Sequence, residues 1–363
     1  MPPRRRPHES VVLFALGALA GVTAAAGCAV VPARDAPRAI ELQGGAGSQG
    51  GVDPAYARPG PVPAATIALE ATGRDFERCD VSLPSKAPPG APPEAAAPIR
   101  MRWWRPVRAS TGPARRPAVV IAPILGSETA FVTSFAERFA REGWHALVVF
   151  RPEVVYDPSR SLAQVEARIA DGVARRVEAL DWLLARDDVD GSRIASFGIS
   201  AGGIEGALVA GVDRRYVAHV MGLAGGPLAD VFVDSEEDDI RRETDVAARA
   251  VGVSREELRG RLRLGIRTDP VALAARVDPD AVLLVLARLD RSVPTRCGLA
   301  LRDALGRPAT IFLPLGHYAS VLFLPFVEPR VVDFLRRRFE GVRNGAAPES
   351  AGSFAPSPPR SRP

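Results

Sequence analysis

An α/β fold with a mostly parallel sheet is predicted by three features of the chain. Apolar runs of strand length alternate with helical patterns from Arg116 onward. One of those runs, Arg193-Ile194-Ala195-Ser196-Phe197, leads straight into Gly198-Ile199-Ser200-Ala201-Gly202. The 363 residues, 47% hydrophobic and 25% charged, are enough for one domain of about 250 residues once the terminal segments are set aside.

The chain opens with Arg4-Arg5-Arg6 and an apolar run from Val11 to Ala26, ending Ala25-Ala26-Gly27-Cys28. Residues 1–27 read as a secretory signal, because the run is short and rich in Ala and Gly for a spanning helix. Small residues before a cysteine resemble the bacterial lipobox, which implies lipidation at Cys28, a membrane partner through that anchor, and a cell-envelope location. With Ala29 in place of Asp, the resemblance implies, for a double-membraned bacterium, the outer membrane, with the periplasmic side as the other anchored location. A plain signal peptide with secretion, or an uncleaved anchor, is the alternative. Cleavage before Cys28 would remove three Arg and one Glu, a net loss of two positive charges from the +5 of the whole chain.

Residues 28–64, rich in Gly, Pro and Ala, read as a flexible tether. The domain is predicted over 65–343, with a possible edge strand near Ala65 to Ala71. A Pro/Ala stretch from Ala87 to Pro98 then precedes a strand from Ile99 to Arg105. Trp103 and Trp104 fall on opposite faces of that strand, so at least one of them packs in the core or at an edge. The tail 344–363 has no core-forming content and reads as disordered.

Ala118 to Ile124 reads as a buried strand, Ser127 to Arg141 as a helix, and Ala146 to Phe150 as a strand. A long amphipathic helix follows from about Ser161 to Ala185, and the strand into Ser200 is succeeded by a small, apolar helix up to Val212. Val217 to Leu223, Ala281 to Ala287 and Ala309 to Leu313 read as further strands, and Val331 to Phe339 as a closing helix. Residues from about 230 to 278 form an insert with an acidic run, Asp234 to Asp239, and short helical patterns. It reads equally as a small helical lid and as ordinary covering helices.

Glycine flanks Ser200 on both sides because a strand turning sharply into a helix leaves no room for a side chain at Gly198 or Gly202. Such a serine needs a histidine base and a carboxylate to fix the histidine's tautomer. The chain has four histidines. His8 lies in the signal segment, His145 precedes its strand and so falls at the wrong edge of a parallel sheet, and His219 lies inside an apolar strand. His317 remains, in the loop Pro314-Leu315-Gly316-His317-Tyr318, where Gly316 is expected to supply backbone freedom. Asp290 closes the run from Val282 and is the candidate acid, with Asp230 and Asp234 as the other possibilities. Two backbone N–H groups should face the developing oxyanion. Ala201 is expected to give one and Leu125 the other, with Ile124 as the alternative to Leu125.

These residues resemble the α/β-hydrolase superfamily over roughly Ile99 to Gly341. Ala122-Pro123-Ile124-Leu125-Gly126 and Gly316-His317-Tyr318 resemble a bacterial esterase-like subgroup, broadly related to dienelactone-hydrolase and acyl-peptidase-like branches. The resemblance implies an α/β-hydrolase fold, Ser200, Asp290 and His317 as nucleophile, acid and base, no cofactor, and a small-molecule or lipid-like ester as substrate. A catalytically silent member acting as an envelope binding module is the competing function.

Other chemistries find little support. Lys86 is the only lysine and the arginines are scattered, which argues against a nucleic-acid partner. No metal site is expected, because neither the histidines nor the cysteines have ligand spacing. Cys79 and Cys297 are the only pair left for a disulfide once Cys28 is assigned, and two separate thiols fit equally well.

Overall fold

The computed structural model describes residues 29–31, 51–86, 96–107, 115–124, 130–152 and 162–343. Signal-segment residues, Cys28, Leu125 and the tail therefore lie outside the described residues. Among those described, ten strands form one sheet in the order β1-β10-β9-β8-β7-β5-β6-β4-β3-β2. The strands are β1 (Ala29–Val31), β2 (Thr66–Thr72), β3 (Phe76–Leu83), β4 (Ile99–Pro106), β5 (Arg116–Ala122), β6 (His145–Val149), β7 (Val189–Ile199), β8 (Tyr216–Gly222), β9 (Val282–Ala287) and β10 (Ala309–Leu313).

The six strands from β6 to β10 along the middle of the sheet, β5 included, are mutually parallel. Antiparallel β4, β3 and β2 extend one edge and β1 caps the other. The parallel strands are apolar nearly throughout, as strands covered on both faces must be: all five residues of β6 and all six of β9 are buried.

The helices are α1 (Ala130–Arg141), α2 (Leu162–Leu184), α3 (Ala201–Val212), α4 (Leu228–Asp234), α5 (Asp238–Ala250), α6 (Arg255–Gly265), α7 (Pro270–Leu273), α8 (Thr295–Ala304) and α9 (Leu324–Arg343). Alternate residues of each strand feed two cores. Val119 and Ile121 of β5 pack with Phe135 and Phe139 of α1 and Phe334 and Leu335 of α9. Ala118 and Val120 face the other way, toward Leu180 and Leu183 of α2 and Leu208 and Val209 of α3. Trp104 and Trp103 divide between these same two cores, and both are buried.

Chain order explains where a site forms. β5 and β6 are built toward one side of the sheet, and β7 then returns to the other side of β5. The connections leave in opposite directions there, which makes the carboxyl ends of β5 and β7 the point where the strand order reverses, the place where sheets of this kind carry their sites.

One expectation is corrected, and of the two readings left open for the cysteines the structure favours separate thiols. Residues 51–64, read as part of a tether, pack on the domain: Val52 bridges to Asp213, the Tyr56 hydroxyl meets the Thr268 hydroxyl at 2.9 Å, and Arg58 is buried against Asp171 and Glu178. β1 likewise adds a strand within the span read as tether. Cys79 and Cys297 are both free and buried. Cys79 lies in β3 and Cys297 on the helix after β9, six strand positions apart, roughly 29 Å at ordinary strand spacing. A disulfide needs Cα atoms within about 7 Å.

The segment 228–281 is helical and has its own small core. Leu228 and Val233 of α4, Ala248 of α5 and Leu258 and Leu262 of α6 pack together and rest on Ile169 of α2 and Ile204 of α3. α6 starts with a capping box from Ser254 to Glu257, which satisfies two of the helix's free N–H groups. The acidic run is put to use in this packing. Asp234 pairs with Arg259 and Arg296, and Glu236 pairs with Arg291. Among the described residues no helix is long and apolar enough to cross a membrane.

Candidate active site

Ser200 sits between β7 and α3 with φ 58° and ψ −126°. A non-glycine residue holds a positive φ only where its surroundings over-determine it. Here the Ser200 N–H donates to the Gly222 carbonyl at 2.8 Å, and the Ser200 carbonyl accepts the Ile204 N–H at 3.0 Å. Crowding requires the two glycines. A Cβ on Gly198 would lie 2.1 Å from the Gly202 carbonyl oxygen, and one on Gly202 would lie 2.1 Å from that of Ala122. The turn thus lifts the serine side chain above the carboxyl end of β7.

His317 precedes a short 3₁₀ turn, Tyr318–Phe323, just after β10. Gly316 does not adopt a positive φ, which corrects the expectation of backbone freedom; it leaves space instead, since a Cβ would stand a tight 3.1 Å from the Leu289 carbonyl oxygen. That approach brings the His317 loop against the end of β9, where the Leu289 N–H also donates to the Leu315 carbonyl at 3.2 Å.

Asp290 is 6% exposed and fully engaged. Its Oδ1 accepts the N–H groups of Ser292 and Val293 at 3.0 and 2.9 Å, and its Oδ2 lies 2.8 Å from His317 Nδ1. His317 Nε2 lies 2.9 Å from Ser200 Oγ. An ionised carboxylate only accepts, so Nδ1 carries the ring proton, and Nε2 presents its lone pair to the serine hydroxyl.

Sequence reasoning thus selected three residues that the fold brings into one hydrogen-bonded chain. Asp230 and Asp234, the alternative carboxylates, are taken by Arg259. Ala201 opens α3 directly after Ser200, where a helix leaves its first N–H groups without intrahelical partners. Ile124, at the exit of β5, is half-buried.

The other two described histidines belong to the core. Trp103 donates its indole N–H to His145 Nδ1 at 3.2 Å, so His145 Nε2 carries the proton and donates to the Asp188 carbonyl at 3.1 Å. His219 pairs with the Ser196 hydroxyl at 2.8 Å, and burial, with a smaller push from Arg338, lowers its pKa to about 3. Burial also raises the Cys297 thiol to about 11, leaving little thiolate at neutral pH. No group of three His, Cys, Asp or Glu among the described residues is arranged to hold a metal ion.

Sequence reasoning gave no role to several polar residues on the His317 and Asp290 loops and at the exit of β5. Tyr318 is 59% exposed beside the His317 ring and donates its hydroxyl to Glu237 at 2.5 Å, linking the His317 loop to the helical insert. The Ser292 hydroxyl reaches the same Glu237 oxygen at 3.1 Å. Arg151, just after β6, donates to the backbone carbonyls of Pro123 and Ile124. A cation directly behind an all-apolar strand was the available signal for Arg151.

No protein-family model and no curated protein matches the chain. Solved structures do. The chain is similar to an acetyl xylan esterase from Paenibacillus sp. R4, at 19% identity and TM-score 0.62, covering 78% of this chain and 90% of that one. It is similar to the acylaminoacyl peptidase of Pyrococcus horikoshii, at 15% identity and TM-score 0.55, over 78% of this chain and 43% of the peptidase. An α/β hydrolase from Penicillium sp. sh18 matches at 17% identity and TM-score 0.50, over 72% of this chain and 99% of that one. At these identities the likeness is one of fold, and the fold is that of the α/β hydrolases.

Proposed function

We propose that this chain of α/β-hydrolase fold is a serine hydrolase acting on a carboxylic ester through an acyl-enzyme. The observation that carries the reading is the hydrogen-bonded chain from Asp290 through His317 to Ser200, with the serine held at positive φ. His317 Nε2 takes the hydroxyl proton as Ser200 Oγ attacks the ester carbonyl, and Asp290 stabilises the imidazolium that forms. The negative charge on the carbonyl oxygen is met by the Ala201 N–H and a second N–H, assigned to Leu125, which follows β5 in sequence. His317 returns its proton to the departing alkoxide, and water then releases the acid by the same steps in reverse order of roles.

The chemistry proceeds without a cofactor. The acetyl xylan esterase among the similar structures supports a small-molecule ester as substrate class. The helical insert around Glu237 is read as a partial cover beside the triad, because Tyr318 and Ser292 tie it to the loops bearing His317 and Asp290. The sequence of residues 1–28 supports an envelope location with lipidation at Cys28. Intact mass of the mature N-terminus in cells, with Cys28→Ala as control, tests that part separately.

The test of the chemistry is labelling of the full chain with a fluorophosphonate, followed by peptide mapping. Stoichiometric modification of Ser200, absent in His317→Ala, together with loss of ester turnover in Ser200→Ala, is the expected result. Turnover retained by Ser200→Ala would remove the assignment.

A further inference from the structure

The two elements expected to hold the oxyanion, the start of α3 and the exit of β5, are far apart in sequence, so their separation has to be fixed by packing. One limit on it is steric: Gly202 of α3 meets the Ala122 carbonyl oxygen so closely that no Cβ fits between them. Contact of this kind stops the elements approaching but does not stop them parting.

Arg151 supplies the opposite restraint. Its Nη1 donates to the Ile124 carbonyl at 2.8 Å and its Nη2 to the Pro123 carbonyl at 2.5 Å. Its Nε meets Glu205 Oε1, and Glu205 lies on α3 one turn after Ala201. The second Glu205 oxygen is held by Arg176 of α2, whose side chain is 6% exposed and which also donates to the Val149 carbonyl at 3.3 Å. Burial pushes the Glu205 carboxyl up, but the attraction of Arg151 and Arg176 outweighs it and keeps the group below the usual carboxylate range. A charged anchor on α3 is therefore joined by one guanidinium to two successive carbonyls at the exit of β5.

We infer that Arg151 is a positioning residue for ester hydrolysis, strapping the Pro123-Ile124 backbone to the Ser200 helix so that the oxyanion donors keep their spacing. The inference rests on the serine-hydrolase reading. Only a planar fork of donors serves two carbonyls and a carboxylate at once. A lysine ammonium reaches some of them but cannot reproduce that plane. Because oxyanion hydrogen bonds strengthen as charge develops, a misplaced donor raises the barrier and leaves ground-state binding nearly unchanged.

The experiment compares Arg151→Gln and Arg151→Lys with the unaltered full chain, using a soluble p-nitrophenyl ester, the fluorophosphonate rate at Ser200, and thermal unfolding. Labelling of the unaltered chain comes first, since its absence defeats the hydrolase reading before any variant is made. For Arg151→Gln, kcat and the labelling rate constant should both fall roughly 10- to 100-fold, with KM within about twofold. Arg151→Lys should recover part of that loss. A structural role alone predicts a lower Tm with kcat per folded molecule unchanged, and that result overturns the inference. Should the Gln variant fail to fold, the Lys variant decides: the inference requires a kcat deficit of roughly fivefold or more at unchanged KM, and full activity sinks it.

Discussion

Asp290 meets His317 with one oxygen only, Oδ2 to Nδ1 at 2.8 Å, because its other oxygen is committed to the N–H groups of Ser292 and Val293. The loop therefore dictates which carboxylate oxygen faces the imidazole. In Asp290→Asn the side-chain oxygen must stay with the two backbone donors, which turns the amide NH₂ toward His317 Nδ1. That forces the proton onto Nε2, so the ring offers Ser200 an N–H in place of a lone pair. The expected outcome is a kcat reduced on the order of 10⁴-fold with Tm nearly kept. Steady-state kinetics beside a thermal melt checks it, and turnover near that of the unaltered chain would contradict the proton assignment.

Gly202→Ala tests the steric half of the same site. The new methyl group would stand 2.1 Å from the Ala122 oxygen and 2.9 Å from that of Pro123, both backbone atoms with no rotamer through which to yield. Overpacking of a core ordinarily costs about 1–3 kcal/mol, and the upper end is expected here. Urea unfolding measures it. Activity should fall further than the folded fraction does, since β5 is displaced from α3. A variant as stable and active as the parent would show that the turn is more compliant than its contacts indicate.

The parallel strands were readable because strands covered on both faces are written as apolar runs between turn residues. Val282 to Ala287 is the clearest case, and its end pointed to Asp290. His317 could be found by elimination, since each other histidine had a place that unsuited it to the edge bearing Ser200. β3 leaves no clear pattern in the sequence, because Phe76-Glu77-Arg78-Cys79-Asp80 mixes charge into an antiparallel strand whose residues are mostly half-buried. The apolar pattern predicts a start of α9 near Val331, but the helix begins at Leu324 and carries Pro329 inside its span. Contacts such as Arg151 with the Pro123 and Ile124 carbonyls leave no periodic trace in sequence. The same holds for the segment 51–64, whose Gly and Pro content resembles a linker and whose attachment depends on individual polar side chains.

Arg58 makes that attachment measurable. It is buried with Asp171 and Glu178, whose side chains are 7% and 1% exposed, and the Lys86 N–H also donates to Glu178 at 2.8 Å. Arg58→Met would leave two buried carboxylates short of the cation that hydrogen-bonds to both, with the charge of Arg175 still acting on them. Removing one partner of a buried ion pair typically costs about 3–5 kcal/mol. The expected result is a loss of that order in urea unfolding of the full chain, with earlier proteolysis around residues 51–64. An unchanged unfolding curve would mean that the segment contributes nothing to the domain's stability.

His219 gives the protein a defined weakness in acid. It is 4% exposed in β8, and burial chiefly, then the positive charge of Arg338, holds its pKa at about 3. In the unfolded chain the ring titrates near its ordinary value of about 6.5. Between these two values the unfolded state binds one more proton than the folded state, so stability rises with pH across the window and is lost as pH falls. One proton corresponds to about 1.4 kcal/mol per pH unit. His145, buried at the start of β6 and also lowered by burial, acts in the same direction, so replacing His219 alone removes one of two such contributions. His219→Gln retains an acceptor for the Ser196 hydroxyl and cannot titrate. Its unfolding free energy should fall about 2 kcal/mol less than the parent's between pH 6.5 and pH 4.5, measured in urea at each pH. Parallel pH dependence in the two proteins would place the acid sensitivity elsewhere, in the carboxylates paired across the insert and the sheet edge.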